Sequence, residues 1–253
     1  MAIKEARYYE ALCAAGKQIQ AHAKELVGSQ FRWLKTSPSR PAFADLIFAL
    51  GSKIYAILIV ECKSKKSLLG SKAEVNFSIP SKEQALIIDE CKANNLIPVI
   101  FPIYIDVMQP LSLGWNLFSL PDMKSCDPLK DGIDTSAVPM SKWEMSSFRV
   151  QVIMGEIEKE GNKILSYQDI PGIMPNIWFE DRKGCRCWVA VIDKEDESQE
   201  TKNKLKNTAK SIPFIYIGYV AKIAVKGNTS LSSIPLRGEI INVDYTGLEN
   251  VSF

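Results

Sequence analysis

The chain lacks an apolar run long enough to cross a membrane, and its first residues, MAIKEARYYEALCAAG, lack a basic start followed by an apolar stretch. A membrane-spanning helix needs about 20 mostly apolar residues, and a secretory signal needs both of the missing features. From these two absences we expect a cytoplasmic protein without a membrane partner.

Histidine and closely spaced cysteine pairs are also scarce. The 253 residues include one histidine, His22, and six cysteines, of which Cys185 and Cys187 form a Cys-x-Cys pair. This pattern indicates neither a zinc ribbon nor a disulfide framework, and the spacing gives no support to a metal held by Cys185, Cys187 and His22. The net charge is +2, so contact with nucleic acid would need a local basic patch.

Helical and strand patterns do alternate along the first part of the chain. Apolar residues at helical spacing predict a helix over 4–27, and Phe31–Lys35 has the pattern of a strand. Apolar runs at 43–50 and 54–62 around Gly51-Ser52-Lys53 predict a hairpin. Ser81, with Gln84 three residues later, predicts the start of a helix that ends near 95, and 97–105 follows as a strand.

The rest of the chain predicts a second α/β unit after an irregular stretch rich in proline, serine, aspartate and glycine. We predict strands at 148–157, 188–193 and 213–225, and a charged helix within 194–210. The predicted organisation is a first domain at 1–108, an irregular connecting segment at 109–147 and a second α/β domain at 148–253.

A weak internal similarity links the two parts. MPNIWFEDRKGCRCWVAVID aligns in pattern with RPAFADLIFALGSKIYAILIVE, and SIPFIYIGYVAKI aligns with LIPVIFPIYIDV. Either the second unit is a degenerate repeat of the first, or two unrelated hairpin-helix-strand units share a pattern. The alignment puts Asp193 near the place of Glu61, with Glu180 ahead of it and Glu195 two residues after it. A repeat of this kind would lack catalysis.

Charged residues stand at the ends of the predicted hairpin strands. Side chains alternate along a strand, so Glu61 and Lys63 share a face. If the hairpin turns about Lys53, Asp45 lies opposite Glu61. The register is open to a shift of a residue or two, and a bulge would also bring Asp45, Glu61 and Lys63 into one cluster. Two carboxylates suit Mg²⁺, which can activate water and polarise a phosphoryl oxygen while a lysine orients the water.

This arrangement resembles the PD-(D/E)xK nuclease superfamily, whose fold is restriction-endonuclease-like. An acid after a proline-containing loop, a hairpin, Glu-x-Lys, a helix bearing Gln84 and the strand Ile97-Pro-Val-Ile-Phe101 carry the resemblance, which covers residues 5–107. One departure is Ala44 directly before Asp45, with Pro41 four positions ahead of the acid.

The resemblance implies a mixed sheet flanked by helices and a Mg²⁺-dependent deoxyribonuclease in which Mn²⁺ can substitute. Asp45 and Glu61 would bind the metal, Lys63 would position water, and Gln84 would assist. A first-helix Glu binds metal in some members, and Glu5, Glu10 and Glu25 are the candidates. The resemblance also implies a homodimer, since cutting two strands usually takes two sites.

A basic patch and an aromatic residue suggest nucleic acid as the partner. We expect phosphate contacts from Arg40, Lys65, Lys66 and Lys72. Trp33 is either a base-stacking residue or part of the core. The sequence does not separate DNA from RNA, or a restriction site from a junction or a free end. The alternative is an inactive nuclease-fold protein that binds nucleic acid or a partner protein.

Overall fold

The computed structural model describes residues 5–27, 30–35, 44–64, 75, 76, 79, 81–228 and 234–251. The chain divides into two compact units, the first ending at Ser136 and the second beginning at Ala137. Among these residues each unit contains a mixed sheet and two helices, which confirms the predicted α/β class. No helix among these residues is long and apolar enough to span a membrane.

The first unit consists of two helices, a large sheet and a two-stranded ribbon. Its elements are α1 (Glu5–Leu26), β1 (Phe31–Lys35), β2 (Leu46–Leu50), β3 (Lys53–Glu61), β4 (Lys63–Ser64), β5 (Val75–Asn76), α2 (Ser81–Ala93), β6 (Ile97–Tyr104), β7 (Gln109–Pro110), β8 (Leu117–Ser119) and β9 (Ser125–Cys126). The sheet order is β1-β2-β3-β6-β8-β9, β7 pairs with β6, and β4 pairs with β5. Strands β3 and β6 run parallel, and the other pairs run antiparallel.

Helix α1 covers one face of this sheet. Its buried residues Leu12, Ala15 and Ile19 recur every three or four positions, which is the spacing of one helical face. They join a core that includes Ile57 and Ile59 of β3. Because side chains alternate along a strand, residues of β3 with odd numbers face α1.

The second unit has one sheet and two helices. Its elements are α3 (Lys142–Lys159), β10 (Lys163–Tyr167), β11 (Ile177–Glu180), β12 (Arg186–Asp193), α4 (Gln199–Ser211), β13 (Ile217–Gly227) and β14 (Ile241–Asn250). The sheet order is β10-β11-β12-β13-β14, with β12 and β13 parallel and the other pairs antiparallel. Helix α3 supplies Val150, Ile153 and Ile157 to the core.

The prediction of a strand at 148–157 is wrong, because this segment lies inside α3. The stretch Phe148-Arg-Val-Gln-Val partly alternates, but the buried residues of the helix recur at helical spacing. Ser141 and Glu144 also form a capping box at its start. The segment 109–147 divides between the units: β7, β8 and β9 join the first sheet, and α3 begins at Lys142.

The two units share one order of elements. A helix, three antiparallel strands, a helix and a strand parallel to the third occur as α1-β1-β2-β3-α2-β6 and as α3-β10-β11-β12-α4-β13. Even an irregularity recurs, since the pairing shifts between Trp33 and Lys35 in one unit and between Ile164 and Ser166 in the other.

The first hairpin turns earlier than we assumed. Leu50 pairs with Lys53, so Gly51 and Ser52 form a two-residue turn. Gly51 has a φ of +60°, and a Cβ there would lie 2.1 Å from the Asp134 carbonyl oxygen, so glycine fixes the turn at this position. The pairing of Asp45 directly with Glu61 is therefore wrong: continued from Leu46 and Ile57, the register brings Asp45 level with Leu58.

Candidate functional site

Asp45 lies at the start of β2 with its carboxylate held by two donors. Its side chain is buried, with the residue 8 % exposed. The Ile59 amide donates to Oδ2 at 2.7 Å, and the Tyr8 hydroxyl donates to Oδ1. The Asp45 amide in turn donates to the Ile57 carbonyl at 2.7 Å. These contacts fix the orientation of the carboxylate.

Glu61 ends β3 two residues beyond Ile59. It is half-buried and pairs with Ile103 of the parallel strand β6. Two residues of a strand advance by about 7 Å, and Glu61 shares the α1 side of the sheet with Ile59. Tyr8 is a residue of α1, so its bond shows that the Asp45 carboxylate also lies on that side. Strand alternation thus puts the Glu61 side chain at the same end and on the same side of the hairpin as the Asp45 carboxylate.

Cys62, the residue between Glu61 and Lys63, is buried. Burial, and less strongly the Glu61 carboxylate, raise the pKa of its thiol to about 11. The thiol therefore stays protonated at neutral pH while no metal is bound to it.

Lys63 begins β4, opposite Asn76. Its backbone is described, but its side chain lies outside the described part of the structure, as do residues Arg40, Lys65, Lys66 and Lys72. Gln84 lies on α2, where its amide nitrogen donates to the Leu120 carbonyl at 2.7 Å. This contact ties the helix to the end of β8.

Sequence reasoning missed Tyr8. Burial, followed by the charge of Asp45 and the hydrogen bond to it, raises the pKa of Tyr8 above its usual value. The hydroxyl therefore remains a donor to the carboxylate at neutral pH. A usable signal was present, because Tyr8 precedes the buried Leu12 and Ala15 by four and seven residues on the same helical face.

The remaining aromatic and acidic candidates take other positions. Trp33 packs edge-on against Phe31 and Phe48, and its indole nitrogen donates to Gln20 at 2.5 Å, so it belongs to the core. Glu10 and Glu25 are exposed on α1. The Glu5 side chain lies outside the described residues. His22 packs edge-on against Trp115 at 5.0 Å.

The second unit repeats the backbone link of Asp45 with an asparagine. Asn176 directly precedes β11, is 4 % exposed, and its amide donates to the Val189 carbonyl at 2.8 Å. The Val191 amide donates to Asn176 Oδ1 at 2.8 Å. Asn176 is therefore the counterpart of Asp45, whereas the alignment had put Glu180 ahead of Asp193. The sequence comparison did not identify Asn176 because it considered only acidic residues.

Asp193 corresponds to Glu61. Glu61 ends β3 four residues after Ile57, whose carbonyl accepts the Asp45 amide. Asp193 ends β12 four residues after Val189, whose carbonyl accepts the Asn176 amide, and it pairs with Ile223 of the parallel strand. Two residues later the second unit has Glu195 where the first has Lys63.

Basic side chains form ion pairs with the acids of the second unit. The Arg149 guanidinium donates to Asp193, and Lys226 Nζ lies 2.6 Å from Glu195. The hydrogen bond from Lys226, then its charge, lowers the pKa of Glu195, and the same hydrogen bond and charge raise the pKa of Lys226. All four residues line a cavity of about 420 Å³. Their charges balance in pairs.

The two sites differ in the ligands that they offer to a metal ion. Asp45 and Glu61 supply two carboxylates, and a carboxylate oxygen has two lone pairs with which to accept. Mg²⁺ typically takes one or two protein carboxylates and keeps several waters. In the second unit an amide replaces one carboxylate and Arg149 neutralises the other. Within the described residues, no three His, Cys, Asp or Glu side chains form a metal-binding group.

Comparisons with known proteins reach only the second unit. The family described as Domain of unknown function (DUF8840) matches residues 143–251, which run from α3 to the end of β14. No curated protein and no solved structure matches the chain. Residues 143–251 are therefore similar to a family whose description assigns no activity.

Proposed function

We propose that the first unit is a metal-dependent nuclease that hydrolyses phosphodiester bonds in DNA. The observation that supports this proposal is that the Asp45 carboxylate bonds to Tyr8 of α1 and to the Ile59 amide at the end of the β2-β3 hairpin, where strand alternation puts Glu61 on the same side. Lys63 follows Glu61 by two residues, and the order of elements is the one that the PD-(D/E)xK resemblance implies.

Asp45 and Glu61 would hold Mg²⁺, with Mn²⁺ as a substitute. When bound, such an ion lowers the pKa of a coordinated water and polarises a phosphoryl oxygen. Tyr8 and the Ile59 amide keep the Asp45 carboxylate in one orientation, which reduces the reorganisation needed when substrate binds. Lys63 would position the attacking water and offset negative charge on the phosphate.

In this proposal Gln84 has a structural role, whereas the resemblance implied that it assists catalysis. Its side-chain amide is engaged by the Leu120 carbonyl, so it supports α2 against the sheet. Assistance to catalysis would require that bond to break when substrate binds.

A cleavage assay tests the proposal. Purified protein is incubated with plasmid and with single-stranded DNA in Mg²⁺, Mn²⁺ or EDTA. The variants are Asp45→Asn and Lys63→Ala, and the control is Glu195→Gln, which turns an acid of the second unit into an amide at the place that corresponds to Lys63. We expect cleavage that depends on a divalent ion by the wild type and the control.

Cleavage should fall by more than about 100-fold in the two test variants, since losing even an outer-shell partner of a metal costs about 10- to 100-fold in activity. Undiminished cleavage by both folded variants would contradict it.

A second candidate function is nucleic-acid binding without catalysis. The observation that favours it is that each Asp45 oxygen already accepts a hydrogen bond, and that Asn176 forms the same backbone link without a charge. Asp45 would then serve the fold alone. Wild-type protein that binds DNA but cleaves none of these substrates with either ion supports this candidate over the nuclease.

A further inference from the structure

Most of helix α4 lies in a long run of positive charge that contains no acidic residue. Residues 201–228 contain six lysines and no acidic residue, whereas the whole chain has 31 basic and 29 acidic residues. Four of the six lysines lie on α4, at 202, 204, 206 and 210. Solvated helices usually mix both signs, so this segregation needs a separate explanation.

Three of these lysines form a row. Lys202, Lys206 and Lys210 are four residues apart and exposed. Four residues advance a helix by about 6 Å, so the row is about 12 Å long. Lys204 lies off the row and pairs with Glu200 at 2.8 Å, while the three lysines of the row make no ion pair with any residue that the structure describes. Their charges are available to a partner.

The helix contributes little to the core. Although the structure describes all of α4, none of its side chains is buried. Its counterpart α2 buries Ile87 and Cys91 and carries three acids and two lysines, whereas α4 carries one acid, Glu200, and four lysines. Packing against the core therefore constrains the sequence of α4 less than it constrains the sequence of α2.

An exposed aromatic residue follows the row. Phe214 is fully exposed and Ile215 is largely exposed, in the turn closed by the Tyr216 amide and the Pro213 carbonyl. Bare aromatic rings beside a basic stripe are the elements with which proteins bind single-stranded nucleic acid, because phosphates meet the lysines and an unpaired base stacks on the ring.

From these features we propose that Lys202, Lys206, Lys210 and Phe214 form a docking surface for single-stranded nucleic acid. An anionic membrane is the other large polyanion, but a helix that lies on a membrane needs an apolar face. Leu205 is the single large apolar side chain within Gln199–Ser211. The row spans roughly three phosphates of one strand, since DNA carries one charge per about 3.4 Å per strand.

This surface deepens the proposed nuclease function and rests on it for its biological meaning. The binding itself is independent of Asp45 and Glu61. Binding measured in EDTA therefore stays separate from cleavage measured in Mg²⁺, and either can fail alone.

The experiment measures fluorescence anisotropy of a labelled single-stranded oligonucleotide over a range of salt concentrations. The test variant is K202Q/K206Q/K210Q, and the matched control is K92Q/K130Q/K163Q, which removes three exposed charges elsewhere. Circular dichroism checks that both remain folded. Three lost phosphate contacts should reduce the slope of log K against log salt by about 2 in the test variant and leave the control unchanged.

A second variant, Phe214→Ala, examines the stacking contact. We expect its affinity for the single strand to fall by about 5-fold or more, with the salt slope unchanged, because stacking is not an ionic interaction. Equal binding by the wild type and the lysine variant would overturn the proposal. So would lysine-dependent binding to vesicles containing phosphatidylserine together with no binding to the oligonucleotide.

Discussion

At the start of β2 the first unit has Asp45, which accepts the Ile59 amide, and at the start of β11 the second has Asn176, which accepts the Val191 amide. Both links have nearly the same length, 2.7 Å and 2.8 Å, and both residues donate their own amide to the opposite strand. The backbone framework therefore requires an oxygen at this position but not a charge. The charge that aspartate brings to this position is therefore not needed for the backbone link.

The ends of the two central strands extend this contrast. Glu61 is followed after one residue by Lys63, whereas Asp193 is followed by Glu195, and Arg149 and Lys226 neutralise the second pair. In the second unit basic side chains thus take the place that a cation would take beside the acids. One framework supports a candidate metal site in the first unit and an internally neutralised cavity in the second.

Converting the second site is the change with the largest expected effect. In an Asp45→Asn background, we expect N176D/R149Q to bind Mn²⁺, because the introduced carboxylate would join an Asp193 released from its guanidinium. At one hundred times its Kd the ion stabilises the folded state by about 2.7 kcal/mol. Thermal unfolding with and without Mn²⁺ measures this gain.

The single changes N176D and R149Q are its controls. N176D leaves Asp193 paired with Arg149, and R149Q leaves a neutral amide at Asn176, so neither should be stabilised by Mn²⁺. If Mn²⁺ stabilises the combined variant no more than it stabilises these two, the charged residues do not explain the expected difference in metal binding between the units.

The backbone link gives a smaller effect on stability. Asp45→Ala leaves the Ile59 amide without this acceptor, and a buried unpaired group costs about 1–3 kcal/mol. Asp45→Asn should cost much less, since Asn176 shows that an asparagine oxygen fits this link and since the Tyr8 hydroxyl can accept as well as donate. Urea unfolding of both variants measures the difference. Equal losses would show that the carboxylate charge, rather than the acceptor, stabilises the hairpin.

Much of the fold was predictable from periodic segments. Helix α1 has helical spacing and strand β3 is an apolar run that follows the Gly51 turn, and both lie within a few residues of their predicted bounds. Helix α3 was missed because its apolar residues partly alternate, although Ser141 and Glu144 have the spacing of a capping box at its start. The turn at Gly51 depends on space beside Asp134, a contact that spacing along the chain does not reveal.

The candidate site was predictable only in part. Asp45 and Glu61 were predicted as a pair because acids at strand ends are conspicuous in sequence. Tyr8 bonds to Asp45 across 37 residues, and nothing local indicates that pair. Asn176 was missed because it is uncharged, although it occupies the corresponding position in the second hairpin.

The most direct measurement is a crystal structure of the protein soaked in Mn²⁺, with anomalous scattering to locate the ion. The account predicts one ion in contact with both Asp45 and Glu61, and none bound by Asn176 and Asp193. An ion bound in the second cavity while Asp45 and Glu61 hold none would contradict it.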